Sequence, residues 1–350
     1  MQLTSDLVYG DAASIDLVLW RESFRAAGIE APVFADRYDR HHAALCQPLG
    51  TYRPRPGDVR LLHYTTWSPA AEQVLRLGEP VVLMYHNVTP PRFFAGLDEE
   101  AARATARGRE WLSRFAPLCP LAIAKSEYSR ADLVAAGFRR SAVLPARVDF
   151  ETLDRERNDA LEARVAAAGP GLLTVGRVVP NKRLEDLIGL FAYYRRIEPS
   201  ARLYCVGAHD DGGRYVAGLR WLARRLGLGD AVVFTGQVSH ADRGAYYRGC
   251  RVFVTMSEHE GFCVPVVEAM HLGLPVVGRE GSAVTETVDG AGVLVLEKRL
   301  DVVAEAIDLL ARETPLRRRL VEKGRARAAD FASPSLEARF AALLAEALGG

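Results

Sequence analysis

Val252-Phe253-Val254-Thr255-Met256-Ser257-Glu258-His259-Glu260-Gly261-Phe262-Cys263-Val264-Pro265-Val266-Val267-Glu268-Ala269-Met270-His271-Leu272-Gly273-Leu274-Pro275-Val276-Val277-Gly278 is the stretch that decides the fold. Its first five residues are apolar and mostly β-branched, which reads as a buried strand. Ser257 to Gly261 then carries two carboxylates and an imidazole, too polar for the interior of a sheet. The spacing predicts a helix beginning near Pro265, where a missing N–H is tolerated, and ending at Gly273 as its C-cap. Leu274 to Gly278 reads as the next buried strand. The polar loop therefore sits at the C-terminal end of a parallel strand and at a helix N-terminus, the place where open α/β sheets bind ligands. His259-Glu260 opens like H-E-x-x-H, but the next ligand position is Cys263, so a zinc protease is excluded.

The same alternation runs along the chain. Ala31–Ala35, Val59–Tyr64, Pro80–Tyr85, Leu121–Ala124 and Ser141–Leu144 read as strands in the first half, and Leu172–Val175, Arg202–Gly207 and Val232–Val238 in the second. Helical spacing separates them, in Ile15–Ala27 before Gly28, in Leu97–Phe115, and from Leu184 through Phe191. Strands alternating with helices imply parallel sheets covered on both faces. Polar groups just after these strands are therefore site candidates. They include Gly10 in a loop of small residues spanning 7–14, the run His63 to Ser68, His86-Asn87, and Gly176-Arg177 with Lys182 five residues after the Arg. Neither G-x-G-x-x-G nor a Walker A loop occurs, which weakens dinucleotide and NTPase readings.

Glu260-Gly261-Phe262-Cys263-Val264-Pro265-Val266-Val267-Glu268, with Gly273-Leu274-Pro275-Val276-Val277 after it, closely resembles the E-x7-E signature of the GT4 family of retaining glycosyltransferases. Other segments resemble the same family: the loop around Gly10, Tyr85-His86-Asn87-Val88-Thr89-Pro90-Pro91, Ser126-Glu127-Tyr128-Ser129, Gly176-Arg177 with Lys182, Phe234-Thr235-Gly236-Gln237-Val238, and Gly281 to Thr287. The resemblance covers essentially the whole chain and is strongest from Thr174 to Gly292. It implies a GT-B fold, two Rossmann-like domains with parallel sheets facing an interdomain cleft. The domains expected are 1–150, the acceptor-binding domain; 151–170, a linker; 171–333, the nucleotide-sugar domain; and 334–350, a helix crossing back to the first.

The roles that follow are those the resemblance implies. Glu268 holds the ribose hydroxyls, Arg177 and Lys182 the donor's diphosphate, and Glu260 with the Gly261-Phe262 backbone the sugar hydroxyls. The backbone at Gly236 and Val238 lines the base, Gly10 approaches the phosphates, and His86 contacts the transferred sugar near the acceptor. Glu286 supports the sugar or its loop. Ser126 and Ser129 read mainly as helix-capping. The chemistry is sensible, because fixed cations neutralise a leaving group that gains charge as the glycosidic bond breaks. Catalytic candidates are thus Glu260, His86, Arg177 and Lys182. The donor is expected to be a UDP- or GDP-linked sugar, with no metal and no further cofactor. Asp210-Asp211 forms no D-x-D motif.

Composition narrows the alternatives. Forty-five basic against 44 acidic residues leave a net charge of +1. Nucleic-acid binding calls for a basic excess that is absent here. Five cysteines, Cys46, Cys119, Cys205, Cys250 and Cys263, show no C-x-x-C and read as reduced thiols. Residues 1–6 lack the features of a signal peptide, and no apolar run of membrane-spanning length occurs. The expected location is cytoplasmic, possibly at the inner face of the membrane, because Arg103, Arg107, Trp111 and Arg114 share a helical face that offers weak peripheral contact. The expected partners are a nucleotide-sugar and a carbohydrate or lipid-linked acceptor. Two other readings stay open: a GT-B epimerase or hydrolase acting on the nucleotide-sugar alone, and a nucleotide-sugar-binding protein without catalysis.

Overall fold

Short β-branched runs separated by amphipathic helices bury both faces only as parallel sheets, and the computed structural model, which describes residues 1–348, contains two. The chain divides into one unit comprising Met1–Val148 with the stretch from Phe331 onward, and a second comprising Asp149–Asp330.

The first sheet has strands β1 (Gln2–Leu7), β2 (Val33–Tyr38), β3 (Cys46–Pro48), β4 (Leu61–Tyr64), β5 (Val82–Tyr85), β6 (Leu121–Ala124) and β7 (Ser141–Val143) in the order β3-β2-β1-β4-β5-β6-β7. Every pairing is parallel. β1 lies inside this sheet, between β2 and β4, although it carries no apolar run. Gln2, Thr4 and Ser5 are buried there because other polar groups receive them, as when Ser5 Oγ meets Thr65 Oγ1 at 3.1 Å. The segment expected as a loop over 7–14 is thus strand end, turn and helix start. The helix Ala12–Ala26 begins earlier than expected because the Asp11 carboxylate accepts from Ser14 N–H and caps it. The last helix, Ser333–Leu348, seats Leu336 and Phe340 against Trp20, Leu61, Val82 and Leu121 of the same unit. The final two positions of the segment expected over 334–350 lie outside the described residues.

The second sheet has β8 (Gly171–Val175), β9 (Arg202–Val206), β10 (Val232–Gly236), β11 (Val252–Thr255), β12 (Val276–Arg279) and β13 (Val293–Val295) in the order β10-β9-β8-β11-β12-β13, again all parallel. Leu187, Ile188, Phe191, Leu203, Val252 and Ile307 are among its fully enclosed core residues. Residues 151–170, expected as a linker, form the helices Phe150–Arg155 and Asp159–Ala167 and belong to this second unit. They are held there by Arg248, whose guanidinium bonds Glu162 at 2.9 Å and the Leu153 carbonyl at 3.2 Å. Two helices, Leu300–Ala311 and Pro315–Ala329, follow β13, the second starting anew at Pro315 because Thr314 caps it.

Both sheets are doubly wound, the chain reversing direction between β1 and β4 in one and between β8 and β11 in the other. Crevices that bind ligands form at the C-terminal ends of strands flanking such a reversal. The loops after β8 and β11 are Gly176–Arg183 and Met256–Cys263, which contain most of the residues singled out above.

Candidate active site

The end of β8 and the end of β9 come very close together. Gly176 N–H donates to the Val206 carbonyl at 2.9 Å, and a Cβ on Gly207 would stand 2.2 Å from the Gly176 carbonyl oxygen. With Gly207 at φ +144° and Gly176 at +135°, only glycine fits both positions. The neighbouring Gly236 closes the row, its carbonyl accepting from Gly207 N–H at 3.1 Å. Half-buried glycine backbone therefore edges three adjacent strands at one end of the sheet.

Lys182 reaches back over this edge from the short turn Pro180–Lys182, its Nζ lying 3.4 Å from the position of a Cβ on Gly176. The ammonium bonds Glu260 Oε1 at 2.6 Å, joining the loop after β8 to the loop after β11. Burial alone would lower the Lys182 pKa, but the Glu260 carboxylate outweighs it and leaves the lysine raised and charged. Arg177 is exposed, has no carboxylate partner among the described residues, and its charge acts on Lys182. Two cations and one carboxylate thus stand together at the strand ends, with one of the cations unneutralised.

The E-x7-E loop is fixed from below. Asn181 Nδ2 donates to the His259 carbonyl at 2.9 Å, the Glu260 carbonyl accepts from Ala283 N–H at 3.2 Å, and the Phe262 carbonyl accepts from Thr287 Oγ1 at 2.5 Å. Ala283 and Thr287, not singled out from sequence, thereby brace the loop, and the side-chain role expected of Glu286 is joined by these contacts from the same helix, Ser282–Val288. Cys263 takes φ +77° immediately before the helix Val264–His271. A non-glycine residue there is uncommon and marks a turn held by its surroundings. Its thiol is buried and pushed well up by burial and by Glu260, so it remains a neutral thiol.

Glu268 lies in that helix, buried, one turn beyond the start. Its Oε2 accepts from the Tyr247 hydroxyl at 2.7 Å, and its Oε1 pairs with Arg243 Nη2 at 3.2 Å. Burial and the nearby carboxylate drive the Tyr247 phenol far above its ordinary pKa, so it stays a donor. A carboxylate has about four lone-pair sites, and these two partners leave capacity for hydroxyl donors. Tyr247 and Arg243 carried no sequence signal because they come from a different helix, His240–Gly249.

Gly10 and His86 belong to the other unit. Gly10 has φ +77° in the turn between β1 and the helix Ala12–Ala26. His86 follows β5 and stands in a buried polar chain that sequence reasoning did not assemble. His86 Nε2 lies 3.0 Å from His63 Nδ1, and His63 Nε2 lies 2.9 Å from Gln2 Oε1. Asp16 Oδ2 is 4.0 Å from His86 Nε2 and 2.6 Å from the Lys125 ammonium, while Asp16 Oδ1 accepts from Arg147 N–H at 2.8 Å. Burial, with the positive charge of Lys125, lowers the His86 pKa well below its ordinary value. Ser126 caps the helix Glu127–Ala135, accepting from Ser129 N–H at 3.0 Å as expected; Ser129 instead accepts from Asn87 Nδ2 at 3.0 Å.

Part of the basic stripe on the helix Glu99–Phe115 packs within the fold. Arg107 lies 3.8 Å from the Trp67 ring centroid and 4.7 Å from that of Trp111, and pairs with Glu72 at 3.0 Å. Among the described residues no helix is long and apolar enough to cross a membrane.

Each unit, with its doubly wound parallel sheet, is a Rossmann-like domain. Residues 163–327 match the family model described as Glycosyl transferases group 1. A GDP-mannose-dependent alpha-mannosyltransferase of Mycobacterium tuberculosis (strain CDC 1551 / Oshkosh) is 30% identical over 207 residues, a match covering 58% of this chain and 49% of that protein. The chain therefore spans about half the length of this curated relative. The fold of the whole chain is shared with Anabaena HepE, crystallised with UDP and glucose, at a TM-score of 0.77, 19% identity, and coverage of 99% of this chain and 100% of the other. Sucrose-phosphate synthase from Thermosynechococcus elongatus is similar at a TM-score of 0.77, with 21% identity and coverage of 99% and 98%. The resemblance to glycosyltransferases is thus borne out over 163–327 by the family match, and the expected GT-B fold by the likeness to these solved structures.

Proposed function

We propose that the protein is a retaining, metal-independent glycosyltransferase that moves a hexosyl unit from a UDP- or GDP-linked sugar to a hydroxyl acceptor on a glycan, a lipid-linked glycan or a small glycoside. The observation that carries this reading is the Lys182–Glu260 ion pair of 2.6 Å, set over the glycine edge of β8 and β9 with the exposed Arg177 beside it. A diphosphate needs close backbone approach and fixed positive charge, and both are present at one strand end. Lys182 and Arg177 receive the diphosphate and stabilise the charge it gains on leaving. Glu260 and the Gly261-Phe262 backbone hold sugar hydroxyls, Glu268 the ribose, and the backbone at Gly236 and Val238 the base. In the other unit Gly10 is assigned to the phosphates and His86 to the transferred sugar. No enzymic nucleophile is assigned, because the leaving phosphate can accept the acceptor's proton as attack occurs from the same face.

The relative's GDP-mannose dependence makes GDP-mannose the first donor to test. A thermal-shift panel of UDP- and GDP-sugars should show one raising Tm, since a ligand that binds the native state stabilises it by RT ln(1 + [L]/Kd). That donor should then be consumed only when an acceptor is present, with the anomeric configuration kept. Donor turnover without any acceptor would favour an epimerase or hydrolase, and binding without turnover a non-catalytic protein.

A further inference from the structure

The buried chain behind His86 has a direction. Gln2 Nε2 donates to the Leu17 carbonyl at 3.3 Å, so the amide is oriented with its oxygen toward His63. An oxygen can only accept, and His63 Nε2 at 2.9 Å must therefore carry the proton. His63 is 2% exposed, and burial lowers its pKa well below 6.5 against the opposing pull of the Asp16 carboxylate, so its ring is neutral. A neutral ring with its proton on Nε2 has a bare lone pair on Nδ1. His86 Nε2, 3.0 Å away, must then be the donor in the pair. The carboxylate of Asp16 at 4.0 Å favours a proton on that same nitrogen, and Lys125 at 2.6 Å balances the carboxylate's charge. His86 is neutral for the same reason as His63. Its proton is thereby committed to Nε2 and its Nδ1 is left a bare acceptor.

We infer that Gln2 and His63 are positioning residues that lock His86 in its Nε2–H tautomer, so that Nδ1 receives a hydrogen bond from a hydroxyl group of the bound ligand. The inference rests on the assignment of His86 to the transferred sugar for the identity of that hydroxyl, but the tautomer itself does not. Asp16, His63 and His86 also bring ligand atoms within 4.8 Å of one another, a spacing that suits a metal ion. A cation there would compete with the Lys125 ammonium for Asp16 and break the His63–His86 bond, so the group is read as a hydrogen-bonded chain.

Long-range proton–nitrogen correlation spectra of ligand-free protein labelled with ¹⁵N-histidine distinguish the two tautomers, with His86 assigned by a His86→Gln variant. The parent should show His86 protonated on Nε2 only. Gln2→Met removes the acceptor while keeping the side-chain length, which lets His63 move its proton to Nδ1 and drives His86 to the Nδ1–H form. A parent His86 protonated on Nδ1 at neutral pH would overturn the inference without any variant. So would a folded Gln2→Met protein with the parent pattern, or stoichiometric zinc in the purified protein. None of these measurements uses a donor sugar, so their failure is separate from failure of the glycosyltransfer reading.

Discussion

Replacing Lys182 with Met keeps most of the apolar stem and deletes the charge. Two effects should follow, and the structure separates them. The first concerns stability: Glu260 Oε1, 2.6 Å from the ammonium in the parent, loses its partner while the two side chains are only 19% and 10% exposed. Breaking a fully buried pair costs about 3–5 kcal/mol. The residual solvent contact lowers this to roughly 2–3 kcal/mol, a fall in Tm of about 5–10 °C for a domain of this size. The second concerns rate: removing one preorganised stabiliser of developing charge typically costs about 10²- to 10³-fold in kcat. Because the diphosphate gains charge only as the bond breaks, the loss should appear in kcat more than in donor affinity. A second variant, Lys182→Met with Glu260→Gln, removes the orphaned charge and should recover most of the lost stability but not the rate. Initial rates with the donor found by thermal shift, measured beside melting curves, test both effects. A folded Lys182→Met protein turning over at the parent rate, or a double variant that regains the rate, would refute the role given to this cation.

Glu268→Gln should weaken binding of the plain nucleoside diphosphate, because a charge-assisted acceptor for the ribose is worth about 1.5–3 kcal/mol; Tyr247→Phe, which removes only the hydroxyl at 2.7 Å, serves as the structural control in the same titration. Unchanged diphosphate affinity with altered sugar selectivity would mean the two glutamates exchange roles. Stability should fall as the solution is acidified, since His63 and His86 have folded pKa values lowered from 6.5 by burial. Below about pH 6.5 the unfolded chain takes up protons that the native state refuses, so each histidine removes up to about 1.4 kcal/mol per pH unit until its own folded pKa is reached. Melting curves between pH 7 and pH 5 measure this slope, which His63→Phe should flatten. Transfer should survive EDTA, because the residues proposed for the leaving group are cations and backbone N–H groups; complete loss restored by Mn²⁺ or Mg²⁺ would contradict the metal-independent mechanism.

Wherever function depends on residues close together in one loop, the sequence by itself determined the outcome. Glu260 and Glu268 are linked by one turn of chain and part of a helix, so their spacing states their arrangement. Gly176, Arg177 and Lys182 follow a single strand, and the apolar runs of β8, β9, β11 and β12 announce a parallel sheet through periodicity alone. Polar strands are silent in that respect. β1 carries Gln2, Thr4 and Ser5 inward; Thr4 donates to the nearby Asp6 carbonyl, but Gln2 and Ser5 are tolerated because His63, Leu17 and Thr65 supply partners from distant segments. The 2.6 Å contact between Lys182 and Glu260 joins positions 78 residues apart. Tyr247 and Arg243 reach Glu268 from another helix, and the chain from Gln2 through His63 to His86 with Asp16 and Lys125 draws on two strands, two strand ends and a helix. A buried charge or imidazole is stable only when its partners are present. Which residues become those partners is set by the order of strands in the sheet, and that order exists only once the chain has folded.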